Sequence, residues 1–210
     1  MLTVKNLQFT RNHQILFEGL NFSLSPGSAL QLCGPNGVGK STALKILAGL
    51  SPARRGSIFF DQIKQANLGK FSKYLGHELA LHPQLSIWEN LSFYASLLGE
   101  PKDQIAIACD FFNLMPIKNQ QIHTLSAGQQ HRCQLAKLLL GKASIWLLDE
   151  PFTALDQANV KKLLNLFSAF LDKKGMIIFT SHHPLIEKNL NLICYFMKDF
   201  FTAPLSYQQE

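Results

Sequence analysis

Lys40, Ser41 and Thr42 follow directly on Gly34, Gly37 and Gly39 in the stretch CGPNGVGKST. Lacking a Cβ, glycines can take positive φ and let backbone N–H groups approach phosphate oxygens closely. A buried run, ALQLC, leads into this turn and an apolar-faced run, STALKILAGL, leads out. The spacing Gly34-x4-Gly39-Lys40-Ser41 therefore fits a phosphate-binding loop between a strand and a helix. The positive end of that helix points at the same anion. In such a loop Lys40 reaches the β- and γ-phosphates of a nucleotide and Ser41 gives a hydroxyl to Mg²⁺. Pro35, Asn36, Val38 and Thr42 complete the expected nucleotide-binding stretch.

A second helix start carries similar chemistry. In TLSAGQQHRCQLAKLLLG, Ser126 and Gln129 have the spacing of a capping box, ahead of an apolar face built from Cys133, Leu135, Ala136, Leu138 and Leu139. Gly128 leaves backbone N–H groups open to an anion. Read alone, this pattern equally fits a helix that binds nothing. Further on, Ile145–Leu148 is a buried apolar run that ends in Asp149 and Glu150. Asp149 is placed to help hold Mg²⁺ and Glu150 to polarise water against the γ-phosphate. Asp156 follows in TALD. His182, with His183, closes the strand-like FTSHH, where an imidazole can face the phosphates.

These groups need a scaffold. Strand-like runs come first: LTVKNLQFT, ILFEGLNFSL, SALQLCG and SIFFD. A helix-like middle is expected from about 72 to 141, including SIWENLSFYASLLG with a second capping box at Ser86 and Glu89. The strand-like runs SIWLLDE, MIIFTSH and ICYFMKD then return around a helical stretch, DQANVKKLLNLFSAFLDKKG, whose Gly175 suits a C-terminal stop. Apolar strands alternating with helices imply a parallel sheet of α/β type. A single domain over 1–210 is expected: a core of about 1–71 and 142–197, a helical insertion, and a tail of 198–210.

Composition narrows the partners. The chain has 210 residues, 47% apolar and 16% charged, with a formal net charge of +6. The basic residues are dispersed, which argues against a nucleic-acid stripe. Cys33, Cys109, Cys133 and Cys194 stand singly, with no zinc spacing and no disulfide framework. No apolar run approaches the roughly 20 residues of a membrane span, and the first residues lack a signal-peptide core.

Taken in order, the phosphate loop, LSAGQ, Asp149-Glu150, TALD and the strand-end histidine resemble the ATP-binding cassette ATPases from about residue 2 to residue 197. The resemblance implies a P-loop NTPase with a RecA-like parallel core sheet, an N-terminal antiparallel β subdomain and an inserted α-helical subdomain. It also implies a dimer of cassettes in which Leu125, Ser126, Ala127, Gly128 and Gln129 cover the ATP held by the other copy. It further makes Asp156 the residue of the D-loop and His182 a sensor of the γ-phosphate. Two positions depart from the family pattern. His77 stands where a glutamine normally contacts Mg²⁺, and imidazole, unlike an amide, changes charge near neutral pH. The aromatic that stacks on adenine falls at Arg11, whose planar guanidinium can also stack, with Phe9 directed into the core.

Short length, LSAGQQHR and TSHHP resemble one subgroup, the ATP-binding subunits of haem exporters in cytochrome c maturation. That resemblance implies a peripheral subunit on the cytoplasmic face of the inner membrane, paired with integral membrane subunits. Nothing in the seven histidines forms a haem-ligand motif, so no direct haem binding is expected. Trp88, Phe93 and Tyr94, next to the His77 loop, suit either a groove for a membrane partner or the insertion's own core. The alternatives are the ATPase subunit of another small-solute transporter of the family and a soluble cassette ATPase, such as an iron–sulfur assembly factor.

Overall fold

Every residue of the runs ALQLC, IWLL and MIIFT is buried, as strands covered on both faces must be. They form the centre of a five-stranded parallel sheet in a computed structural model that describes residues 1–11, 14–181 and 190–197. In chain order the elements are β1 (Leu2–Arg11), β2 (Gln14–Leu24), β3 (Ala29–Cys33), α1 (Lys40–Ala48), β4 (Arg55–Phe60), β5 (Ile63–Gln65) and β6 (Ser72–Leu75). Then come α2 (Ile87–Leu98), α3 (Lys102–Phe111), α4 (Ala127–Ala136), β7 (Ile145–Leu148), α5 (Gln157–Asp172), β8 (Met176–Thr180) and β9 (Leu192–Phe196). The parallel sheet runs β6-β7-β8-β3-β9, and a separate antiparallel sheet runs β2-β1-β4-β5.

Two-residue alternation divides the core between the two faces of the parallel sheet. Ile145, Leu147, Met176 and Ile178 pack with α1 and the antiparallel sheet. Trp146, Leu148, Ile177 and Phe179 pack with the helices α2 to α5. In α5 the buried Leu163, Phe167 and Leu171 recur at four-residue steps, and each contributes about 1.5–3 kcal/mol of burial. Trp146 also stacks on Phe170, with ring centroids 3.8 Å apart, worth about 0.5–1.5 kcal/mol more. Phe9, expected in the core, is half-buried and stacks on Phe17.

Both expected capping boxes are present. The hydroxyl of Ser86 accepts from the Glu89 N–H, that of Ser126 accepts from the Gln129 N–H, and each partner side chain reaches back to its cap. The boundary of the helical segment needs correction, because Ser72–Leu75, expected within it, form the edge strand β6, paired in parallel with β7. A four-residue strand with a lysine facing inward shows too little apolar pattern to be read from sequence. Lys73 is buried, and its ammonium donates to the carbonyls of Leu138, Leu140 and Gly141. Burial lowers its pKa to about 8. The stop of α5 also differs: Lys174, not Gly175, takes the left-handed conformation, at φ 65°. Gly175 is needed for space, since a Cβ there would lie 2.5 Å from the Phe170 ring.

Candidate functional site

At the C-terminal ends of the parallel strands β3, β6 and β7 the chain turns towards one region, where β8 also ends, the usual place for a ligand in such sheets. The first turn joins β3 to α1. Gly34, Gly37 and Gly39 all have positive φ, at 141°, 82° and 100°. A Cβ on Gly34 would lie 2.9 Å from the Met197 carbonyl, and one on Gly39 would lie 2.8 Å from Phe17. Conformation and space therefore both require glycine at these two positions. Pro35, Asn36 and Gly37 are exposed, whereas Val38 and Gly39 are buried. Lys40 opens α1, is 6% exposed, and donates to the carbonyls of Gly34 and Pro35 at 2.7 and 2.9 Å. The loop is thus closed around its own lysine.

One residue along α1, the Ser41 hydroxyl donates to Asp149 Oδ1 at 2.9 Å. The same oxygen accepts from the Thr180 hydroxyl at 2.7 Å, and Thr180 Oγ1 in turn accepts from the Glu150 N–H at 2.9 Å. Thr180 ends β8 and escaped the sequence reading, where it looked like one more strand residue. Glu150 has φ 52°, a conformation that costs a non-glycine residue about 1–3 kcal/mol and concentrates at functional sites. The hydroxyl of Thr153 donates to Glu150 Oε2 at 3.3 Å.

Ser41, His77, Asp149 and Glu150 line one cavity of about 750 Å³, together with Tyr74 and Gln134. A smaller hollow of about 200 Å³ joins His77, Asp149 and Glu150 to Ala127 and His131 of α4. The Tyr74 hydroxyl is buried in this wall and has no hydrogen-bond partner among the described residues. Burial, reinforced by the charges of Asp149 and Glu78, pushes it up to about 12, so it stays a proton donor. His131 shifts the other way: burial lowers its pKa, although its Nε2 sits 2.9 Å from the Pro151 carbonyl.

The donor set suits a nucleotide with Mg²⁺. A glycine cradle that a Cβ would fill, an adjacent lysine, and a hydroxyl bonded to a buried carboxylate are the groups such a ligand needs. No cluster of three or more His, Cys, Asp or Glu able to hold a metal occurs among the described residues. Ser41 and Asp149 would hold the ion only in company with phosphate oxygens.

Of the other expected residues, Thr42 lies in the first turn of α1. Leu125 is buried, while Ser126 and Ala127 are exposed at the start of α4, with Gly128 and Gln129 half-buried behind them. Asp156 caps α5 by accepting from the Asn159 N–H at 2.8 Å, which holds its carboxyl below the ordinary range. Arg11 is the last residue of β1, and its side chain lies outside the described residues, as does the whole of His182. Phe93 is exposed, whereas Trp88 and Tyr94 pack partly against the helical core.

The ABC transporter family model matches residues 17–153. The "Cytochrome c biogenesis ATP-binding export protein CcmA" of Pasteurella multocida is 38% identical over 200 residues, covering 91% of this chain and 93% of that protein. Its namesake from Yersinia pestis is 39% identical over 202 residues, covering 92% of each. Among solved structures, an ATP-binding subunit of an ABC transporter is similar with a TM-score of 0.77 and 25% identity, over 87% of this chain and 79% of that one. The dimeric cassette MJ0796 bound to ADP and Pi shares the fold, with a TM-score of 0.82 and 22% identity, over 95% of each chain.

Proposed function

Because the chain belongs to the ABC transporter family of ATP-binding cassettes, we propose that it is the ATP-hydrolysing subunit of an exporter that serves cytochrome c biogenesis. The observation that carries the ATPase reading is the bonded line Ser41–Asp149–Thr180–Glu150, which joins the phosphate loop to the acid pair.

Each residue then has a task. Lys40 and the backbone N–H groups of residues 37–42 bind the β- and γ-phosphates of ATP. Ser41 and Asp149 would hold Mg²⁺, which when bound neutralises charge on the phosphoryl oxygens. Glu150 orients the attacking water and takes its proton on a carboxylate oxygen, with Thr153 steadying that carboxylate. His77 lines the same cavity and can hydrogen-bond to that water, as can His182. Arg11 stacks on adenine. Exposed Ser126 and Ala127 present the start of α4 to the nucleotide of a second cassette, with Asp156 at the seam.

The names of the bacterial relatives support an export role in cytochrome c biogenesis. Haem is the cargo of this reading, carried by integral membrane subunits and not bound by this chain. No described helix is long and apolar enough to cross a membrane, which suits a peripheral subunit on the cytoplasmic face of the inner membrane.

Purification of Glu150→Gln from membranes with its partners tests the proposal. Integral subunits should co-purify, with ATP retained and a cassette dimer persisting, while phosphate release falls by about 10²–10⁴-fold. Normal turnover would remove Glu150 as the water-activating group. Recovery wholly from the soluble fraction, without membrane subunits, would overturn the exporter role and favour a soluble cassette ATPase.

A further inference from the structure

The residues that join β6 to α2, Gly76 to Ser86, carry His77 into the cavity but form no helix or strand of their own. Backbone carbonyls in such a segment must be satisfied from elsewhere. Two buried side chains of the α4 stretch do this: Gln134, 2% exposed, and Lys137, 5% exposed. Gln134 Nε2 donates to the carbonyls of Gly76 and Glu78 at 2.7 and 3.2 Å. Lys137 Nζ donates to those of Leu79 and Ala80 at 3.0 and 3.2 Å. Between them they grip four of the five residues from Gly76 to Ala80, on both sides of His77. Ala80 is held at φ 47°, in the left-handed region.

The grip extends to both neighbours of α4. Lys137 Nζ lies over the Tyr94 ring of α2, 5.5 Å from its centroid. Asn90 of α2 pins the second half of the same segment through His82, Leu85 and Ser86. On the opposite flank, His131 of α4 meets the Pro151 carbonyl just past Glu150, at 2.9 Å. Gly128 comes so near the same stretch that a Cβ would lie 2.8 Å from the Ala154 carbonyl. One helix therefore presents Ser126 and Ala127 at its start, braces the chain after Glu150, and holds the His77 segment along its side.

We propose that Gln134 and Lys137 are positioning residues that clamp the His77 segment to α4, so that the placement of His77 beside Asp149 and Glu150 and the placement of the LSAGQ start change together. This rests on the ATPase reading above. Releasing the clamp strands buried donors and carbonyls, so the joint does not slide freely. A helix that turns towards a partner nucleotide carries His77 with it, and hydrolysis is set by the pairing of cassettes.

The test uses the chain in its membrane complex, with Gln134→Leu, Lys137→Met and the conservative Lys137→Arg. Gln134→Leu and Lys137→Met should keep ATP affinity within about twofold, because the phosphate loop is untouched. Turnover should fall by about 10-fold or more, as expected for misplacement by a fraction of an ångström. Lys137→Arg, which restores the donors, should recover at least about half of it. Hydrogen exchange on the wild-type complex gives a readout independent of variant folding. On ATP addition, protection of 76–80 and of 125–131 should rise together. Wild-type turnover in both Gln134→Leu and Lys137→Met, or protection of 76–80 without 125–131 in the wild type, would overturn the clamp. If the wild-type complex itself fails to bind ATP, the underlying ATPase reading falls with it.

Discussion

The two loops that approach Asp149 from opposite sides are built on different principles. Residues 34–39 hold themselves: glycines supply the unusual φ values, and Lys40 closes the turn on its own Gly34 and Pro35 carbonyls. Residues 76–86 are held from outside, by Gln134, Lys137 and Asn90. A loop closed by its own backbone and its own lysine takes little of its shape from distant side chains, which suits binding a common phosphate group. A loop held by a distant helix takes its position from that helix, which suits conditional chemistry. The surroundings of Asp149 thus combine a self-held loop, reached through Ser41, and a conveyed one that carries His77.

Breaking the self-held loop should have the largest effect. Lys40→Ala removes the charge that meets the phosphates and should weaken ATP binding by on the order of 10²-fold or more, read by equilibrium titration. Unchanged hydrolysis would refute the phosphate-loop assignment. Gly39→Ala forces a Cβ into a left-handed residue 2.8 Å from Phe17. It should destabilise the chain by about 1–3 kcal/mol, lowering Tm by about 2–4 °C for each kcal/mol. An unshifted melting curve would show that the loop is not under this constraint.

Changes on the conveyed side should be milder. In His77→Gln an amide replaces imidazole while the clamped backbone stays in place, so turnover should stay within about threefold of wild type. Complete loss would mean that the imidazole has chemistry of its own. His131 gives the smallest effect, and it depends on pH. Burial depresses its folded pKa below the ordinary imidazole value of 6.5, so the unfolded chain takes up a proton first as pH falls. The resulting stability is fully present above 6.5 and is lost as pH drops through the lowered folded value. Denaturant unfolding of wild type and His131→Gln should therefore diverge as pH falls from 6.5 through that window and run parallel above it. Parallel curves throughout would show that His131 is not held neutral.

Much of this was legible from local patterns. The glycine spacing, the capping boxes at Ser86 and Ser126, and the acids closing a buried run all appeared in the structure where the sequence put them. Each depends on residues within a few positions of one another. Strand β6 was misplaced because four residues with an inward lysine carry no clear period. Gln134 and Lys137 were passed over because polar side chains inside an apolar helix stretch look like its solvent face; that they were buried was not visible. Thr180 left no more signal than any other residue of its strand.

The sequence by itself determined the chemistry available: a phosphate loop, a carboxylate pair and a second helix start, each set by short-range backbone geometry. Only the tertiary structure decided which of these meet. Ser41 and Asp149 are 108 positions apart and Gln134 and Gly76 are 58 apart, yet both pairs are hydrogen-bonded. Such pairings follow from sheet order and from the need to satisfy buried polar groups, which are properties of the packed chain as a whole.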